Sequence, residues 1–468
     1  MDHLPARMRN ARACHIGLRG VDADTFSAFR GARPVTETVI CCDHGADHEQ
    51  MLRNGTRRVI SLEKDVGFHA DWSTDDLDRL PELAEFKRFM DAESREAGPE
   101  NPLLLIPFKN THRIDGLGGG HVSVLSPPHE LVHELDSKMK LLQIMADCGI
   151  EPIPGEVVRR AEFGRERFDS LTARYGNKLV AQVAFGSGGS GTFFVSTKEE
   201  IDDVFRREGE LKISKFIEGP SFNGQACVIE TTEGPQTMVF NPSFQIIGLP
   251  ELSDWPSYYC GNDYTGAVEY LGADGIGQYT DLLKRMGSMM AREGWRGIFG
   301  SDLIWSEEEG RMYVLEINPR MQASTSFLHS LMEARGETGI GVYHLLAFLS
   351  ERPLPADIAD YSIAPMSGSH VLVNNRTGSD VVVRGGLEAG MYRFNGSMEL
   401  LEPHYWGRVG AEDFLVTCGV PRNGTRVQNH GTILKVYSGS PALDWRGKAL
   451  TEGFRPIVQK VYEALRLE

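Results

Sequence analysis

The chain has 468 residues, more than one ordinary core accommodates, so two or three domains are expected. Its composition, 41% hydrophobic and 24% charged, is that of a globular protein and excludes a disordered or fibrous chain. The formal net charge of -16 argues against a general nucleic-acid binder, which needs clustered Lys and Arg, but leaves room for anionic small molecules held by a few local cations or by Mg2+.

Seven cysteines (Cys14, Cys41, Cys42, Cys148, Cys227, Cys260 and Cys418) have neither zinc-site spacing nor a disulfide pattern, so a reducing cytoplasm is the expected compartment. The first twenty residues lack the apolar core of a signal peptide, and no apolar run approaches a membrane span. No membrane partner is expected.

In chain order, residues 1–125 read as a small α/β unit. Short apolar runs at 36–42, 56–62 and 101–108 predict buried strands, and 74–98 has helical spacing that Pro81 interrupts, which together suggest a partly parallel sheet. The stretch 114–130, with three consecutive glycines and a Pro-Pro pair, predicts a loop or boundary, and its glycines read as a hinge or tight turn in preference to a substrate loop. Residues 131–149 predict one helix ending near Gly149. Residues 171–197 read as strand, glycine-rich loop, strand, and 212–219 and 224–231 as further strands. The aromatic, turn-rich stretch 243–266 reads either as pocket lining or as an ordinary packed loop. A helix is expected in the second half of 271–294, then strands over 297–305 and 312–320 joined by an acidic turn that reads as a solvated hairpin. Residues 363–468 read as short strands between glycine turns with a closing helix, and carry no catalytic signature.

Two features carry chemistry. The run FGSGGSGT at 185–192 leaves backbone N–H groups free to approach phosphate oxygens, with hydroxyls at Ser187, Ser190 and Thr192, although a plain hairpin turn has the same look. It is not a P-loop, because no Lys-Ser or Lys-Thr pair follows, and not a Rossmann fingerprint, because a strand follows rather than a helix. In LEIN, Glu316 and Asn318 share one strand face, and the acidic turn folds Asp302 against them, so three oxygen-bearing side chains can converge on a hard cation. The polar outer side of a hairpin would look the same. Arg320 has the parity of Glu316 and Asn318, suited either to pairing with Glu316 or to clamping a carboxylate or phosphoryl oxygen.

The order of these features resembles the ATP-grasp superfamily over the middle half of the chain. The resemblance implies an α/β and α+β ATP-grasp fold: a pre-ATP-grasp domain at 1–125, an ATP-grasp module at 126–362 with its lid at about 150–215, and a strand-rich C-terminal domain at 363–468. It implies ATP and Mg2+, or Mn2+, as cofactors. Lys138 in DSKMKLLQIMADCGI corresponds to the first ATP-contacting lysine, and Ser187, Gly188, Gly189, Ser190, Gly191 and Thr192 to the loop over the phosphates. In SKFIEG, Lys215, Phe216 and Ile217 correspond to the adenine hinge, with Glu218 at the ribose side. Asp302, Glu316 and Asn318 correspond to the metal ligands, with Arg320 in the catalytic place. The segments GWRGIFGSDLIW and VLEINPRMQ are especially similar to those of biotin carboxylase and its relatives. Two departures stand out. Gln182 lies where the family usually has a lysine at the α-phosphate, with Lys178 a distant substitute, and Ser214 and Ser221 lie where many members carry acids.

The activity so implied is carboxylate–amine ligation, forming an amide or peptide bond through an acyl phosphate. The whole layout is similar to peptide ligases of the pheganomycin type, which implies an amino acid joined to a peptide in antibiotic biosynthesis. The partners implied are carboxylate-bearing and amine-bearing small molecules or peptides. One rival is a bicarbonate-activating, biotin-carboxylase-like enzyme, against which stands the continuation ASTSFLH after NPRMQ. The other is a catalytically silent nucleotide-binding module, suggested by Gln182 and opposed by the presence of Asp302, Glu316, Asn318 and Arg320 together.

Overall fold

The computed structural model describes residues 11–29, 36–46, 48–53, 56–68, 72–206, 208–403, 409–444 and 449–468. The chain opens with a parallel sheet of β1 (Arg12–Gly17), β2 (Thr36–Cys41), β3 (Arg58–Ser61), β4 (Leu103–Pro107) and β5 (Val122–Val124), in the order β3-β2-β1-β4-β5. The central strand, RACHIG, lies outside the predicted elements because Arg12 and His15 interrupt its apolar run. Both faces of a parallel sheet are covered, and Cys14, His15 and Ile16 are all fully buried. β5 falls inside the stretch expected to be a loop or boundary. The region 74–98 is two helices, a 3-10 segment Thr74–Glu82 and an α-helix Ala84–Glu96, parted just beyond Pro81.

The single helix expected over 131–149 is also two, His129–Asp136 and Leu141–Asp147. Lys138 sits in the joint, and its backbone N–H donates to the Ala184 carbonyl at 3.0 Å, which ties the joint to the lid. Gly149 ends the second helix with φ of +63°, the left-handed conformation that favours glycine.

The lid is a four-stranded antiparallel sheet of β6 (Gly155–Arg159), β7 (Leu179–Gln182), β8 (Thr192–Val195) and β9 (Glu210–Lys215), ordered β6-β9-β7-β8. Its residues alternate as strands require. Leu179, Ala181, Leu211 and Ile213 pack against Phe168, Leu171, Ile201 and Phe205 of two covering helices, Arg165–Tyr175 and Lys198–Phe205. The intervening Val180, Gln182, Lys212 and Ser214 face a cleft.

The cleft floor is an antiparallel sheet. Its strands are β10 (Ser221–Thr231), β11 (Gly234–Val239), β12 (Ser243–Ile247), β13 (Tyr259–Asp263), β14 (Gly297–Ser306), β15 (Arg311–Asn318), β16 (Ser369–Asn374), β18 (Gly390–Phe394), β19 (Met398–Pro403), β20 (Asp413–Thr417) and β22 (Thr432–Ser438). They run β15-β14-β10-β12-β13-β16-β22-β20-β18-β19, with β11 also on β10. β17 (Val381–Val382) and β21 (Arg426–Val427) form a separate short pair. The pairing of β13 with β16 carries the C-terminal strands into the same sheet as the cleft floor. The helix Ala267–Arg292 covers this sheet; it starts earlier than expected and bends at Gly272, whose φ is +60°. Among the described residues no helix is long and apolar enough to cross a membrane.

Candidate active site

The cleft between lid and floor has a volume of about 1060 Å3 and falls into three parts. The first is apolar. Ile153, Ile217, Ile304 and Tyr313 form a small buried cluster with Leu315 against it. Beside it, Phe216 packs edge-on to Phe194, and the Lys178 ammonium lies 3.6 Å from the centre of the Phe216 ring. Lys178 is therefore held at the aromatic mouth. Lys215 turns to Glu309, 2.8 Å away, and Glu218 lies exposed along the rim.

The second part is charged. Asp302 on β14 stands directly opposite Glu316 on β15, and the two carboxyls are hydrogen-bonded. Asn318, Asn223 and Gln322 all donate to Asp302 Oδ1, at 3.2, 3.2 and 3.3 Å. A register shift beyond Asp302 sets Leu303 against Val314 and leaves Leu315 extra. Leu315 and Glu316 thus both line the cleft, one beside the apolar recess and one at the carboxylate pair. Lys138, 6% exposed, approaches from the helix joint and places Nζ 2.7 Å from Glu316 Oε2 and 3.4 Å from the Gly186 carbonyl.

Electrostatics follow from this crowding. Burial, and then the neighbouring Glu316 carboxylate, raise the Asp302 pKa. Burial would raise Glu316 too, but the Lys138 ammonium, the hydrogen bond from Asp302 and Arg320 hold it below the usual carboxylate value. The pair thus shares a proton where two anions would repel.

Arg320 also lines the cleft, but not from the strand face its parity suggested. β15 ends at Asn318, and Arg320 reaches back from the following turn, donating to Asn318 Oδ1 at 2.8 Å and to the Met321 carbonyl at 3.1 Å. Gln322 comes from the same turn. It fits because residue 300 is glycine, where a Cβ would lie 2.1 Å from the Gln322 amide.

The glycine loop crosses between β7 and β8 and rests on the segment 255–259. Tyr259 N–H donates to the Gly188 carbonyl at 3.0 Å, and Ser257 Oγ to the carbonyls of Thr192 and Gly189 at 2.7 and 3.2 Å. Ser190 Oγ donates to the Ser187 carbonyl at 2.8 Å, and Gly191 is buried under the turn. Gln182 donates to Thr192 Oγ1 at 3.3 Å.

The third part is a second chamber with Arg320 and His430 at its edges. Leu18, Trp72 and Phe108 line it from the N-terminal sheet side, Tyr259 from β13, and Leu372 and Thr432 from the C-terminal strands. His430 keeps a left-handed φ of +66° and sets Nδ1 2.7 Å from Asp254 Oδ1. The aromatic stretch 243–266 thus contributes Phe244, Trp255, Tyr258 and Tyr259 to the cleft.

One cleft cation was not anticipated. Lys212 on β9 is 3% exposed and donates to the Leu315 carbonyl at 3.5 Å. Burial, then the nearby Lys138 ammonium, push its pKa down to about 7. In KISKFIEG it looks like an outward lysine; only its register against Gln182 places it inside.

Residues 136–324 match the ATP-grasp domain family. The chain is similar to the [Butirosin acyl-carrier protein]--L-glutamate ligase of Niallia circulans, 22% identical over 244 residues, covering 52% of this chain and 56% of that one. It thus spans little more than half the length of that relative. Among solved structures it is similar to biotin carboxylase from Campylobacter jejuni (TM-score 0.60, 14% identity, 98% of this chain and 92% of that one). It is also similar to phosphoribosylamine--glycine ligase from Thermotoga maritima (TM-score 0.53, 16% identity, 98% of each chain). Parallel N-terminal sheet, four-stranded lid, antiparallel floor and matched segment agree: the protein has the ATP-grasp fold.

Proposed function

We propose that the protein is an ATP-dependent, ADP-forming carboxylate–amine ligase. The observation that carries this reading is the cluster of Asp302, Glu316, Lys138 and Arg320, set between an apolar recess and a second chamber of the same cleft. The recess suits an adenine ring, with Phe216 and Ile217 beside it and Glu218 at its rim. The loop 187–192 covers the phosphates, and the second chamber receives the acid and the amine.

Two adjacent carboxyls that share a proton, with an amide beside them, form a hard-oxygen donor set that fits Mg2+ or Mn2+. Asp302, Glu316 and Asn318 would hold the ion, which when bound supplies neutralisation of phosphate charge. The acid's carboxylate attacks the γ-phosphorus of ATP, the bond to the β–γ bridging oxygen breaks, and ADP departs. A neutral amine then attacks the acyl carbon, phosphate leaves with the C–O electron pair, and the new amide nitrogen gives up its proton. Lys138 and Arg320 offset negative charge along this path. The glycine loop, docked on 255–259, keeps water from the acyl phosphate.

The finer reading is an amino acid joined to a peptide, or to a carrier protein as in the name of the butirosin relative, in antibiotic biosynthesis. Its supports are the likeness to pheganomycin-type ligases and the name of the butirosin relative. Bicarbonate activation fits less well. The hydroxyls of Ser324 and Thr325, just past Gln322, bond inward to Asn223 and Gln225 rather than facing the cleft as an anion site. Incubation with ATP, Mg2+ and a pool of amino acids, peptides and a carrier protein, followed by mass spectrometry and nucleotide chromatography, tests the proposal. ADP and phosphate in step with a new amide are expected, whereas stoichiometric AMP would sink the mechanism.

A further inference from the structure

We propose that Lys212 is the cation that binds the α-phosphate of ATP, taking from the neighbouring strand the charge that Gln182 lacks. The inference rests on the ATP reading above and deepens it.

A lysine ammonium at 3% exposure needs a partner, because desolvating an unpaired charge is costly. Among the described residues Lys212 has no carboxylate partner; its hydrogen bond is the long one, 3.5 Å, to a neutral carbonyl. Packing does not demand a lysine at this place. The opposite face of β9, with Leu211 and Ile213, fills the lid core, while Lys212 faces the cleft. An anion entering the cleft is the partner its surroundings omit.

Position within the cleft identifies that anion. Lys212 bonds the backbone of Leu315, the residue packed against the apolar recess. The next residue, Glu316, belongs to the carboxylate pair and to Lys138. With the base in the recess and the terminal phosphates at the carboxylate pair, the group between them is the α-phosphate. Gln182 is the direct cross-strand partner of Lys212, so the two side chains occupy adjoining places on the lid's inner face. The Gln182 amide is neutral and already donates to Thr192. Lys178, just before β7, is drawn away to the Phe216 ring. Of Gln182, Lys178 and Lys212, Lys212 alone both can carry a positive charge and lies beside the base-to-metal span.

Calorimetric titration with adenosine, AMP, ADP and ATP reads the effect group by group. The wild type should gain affinity from adenosine to AMP. Lys212→Met should bind adenosine as the wild type does, yet bind AMP and ATP at least ten-fold more weakly. Gln182→Lys in the Lys212→Met background should return most of that loss, since it restores one charge across the same strand pair. Circular dichroism checks the fold, and Lys212→Gln is measured alongside as a polar replacement of similar reach. Normal AMP and ATP binding by both Lys212 variants would overturn the proposal alone. Equal weakening for adenosine and ATP would show a packing role and overturn it as well. Failure of the wild-type protein to bind ATP would remove the ATP reading together with this one.

Discussion

Lys138 Nζ lies 2.7 Å from Glu316 Oε2, and the helix break at Ser137–Lys140 is what brings the two together. A continuous helix would keep Lys138 on a regular face. The joint instead points its side chain under the glycine loop, where it meets the carboxylate pair and the Gly186 carbonyl. Burial alone would lower the Lys138 pKa, but the Glu316 carboxylate, with Asp136 behind it, more than offsets this and holds it above its ordinary value. Lys138 therefore acts as the standing counter-charge of the free cleft.

That role predicts a metal-dependent stability defect. Lys138→Met takes from Glu316 its direct ion-pair partner, and breaking such a pair costs about 3 kcal/mol at the lower end of the range for buried pairs. Denaturant unfolding should reveal this loss, and millimolar Mg2+ without nucleotide should recover more stability in the variant than in the wild type. Equal Mg2+ responses would place the ion away from Glu316.

Glu316→Ala and Arg320→Ala should separate binding from chemistry. On the proposed reading the first removes an anionic ligand of the metal, so turnover should fall by roughly 10³-fold or more while circular dichroism stays native. The second should bind Mg-ATP nearly normally yet lose roughly 10²-fold in ligation, because Arg320 meets its full charge demand only along the reaction path. Arg320→Lys should recover little, since one ammonium cannot both hold the Asn318 amide and reach a phosphoryl oxygen. Steady-state ligation and ATP titration on the same preparations distinguish these outcomes.

Adjacent glycines of the loop should respond differently. Gly189 has φ of +85°, and a Cβ there would lie 1.9 Å from the Ser257 carbonyl oxygen. Gly189→Ala should therefore hold the loop off the segment 255–259 and uncouple ATP hydrolysis from ligation. Gly188, with φ of +61°, has open space around its Cβ, so Gly188→Ala should cost only the left-handed strain of about 1–2 kcal/mol. Phosphate release measured against amide formed checks both, and equal coupling in the two variants would contradict the docked loop.

Sequence pattern and structure agree best where the pattern is local. Glu316, Asn318 and Asp302 were legible because a short turn forces the two strands into register. Leu315 was not, because strict alternation sends it to the opposite face and only the register shift beside Asp302 brings it to the cleft. Lys212 was hidden for a related reason: alternating lysines in a strand read as solvent-facing until a partner sheet closes over them. β1 was missed because His15 is polar, yet it lies at the centre of a sheet covered on both faces. The roles of Leu372 and Thr432 depend on the pairing of β13 with β16, a contact over a hundred residues long that no local pattern encodes.

That long pairing predicts the fate of a truncated chain. Ending the protein at residue 362 would remove β16 and expose the edge of β13, along with apolar residues such as Cys260, which shares one core cluster with Val371 and Val436 beyond the cut. The 1–362 fragment should aggregate or express as inclusion bodies rather than yield an active core. Size-exclusion chromatography reads this, and a monodisperse fragment that binds ATP would contradict it.

The last prediction concerns protons. Burial and then Lys138 push the Lys212 pKa down to about 7, against an ordinary value near 10.4, with partial relief from Glu316. The groups facing it are Lys138 from the helix joint, Glu316 from β15 and the neutral Gln182 from β7. In the free protein Lys212 is therefore about half charged at pH 7 and mostly neutral at pH 8.5. A bound phosphate favours the charged form, so nucleotide binding should take up roughly half a proton at pH 7, close to one at pH 8.5 and almost none at pH 5.5. Because its folded pKa is depressed, the unfolded chain holds the extra proton between about pH 7 and pH 10, and the free protein gains stability from this group as pH rises through that window. Lys212→Met should flatten that gain. Titrating ATP in buffers of different ionisation heat measures the proton count directly. A proton given up by Asp302 on metal binding would be common to wild type and Lys212→Met, so the difference between them isolates Lys212. A difference that rises with pH toward one proton is expected, and a difference of zero at every pH would mean that Lys212 does not meet the phosphates.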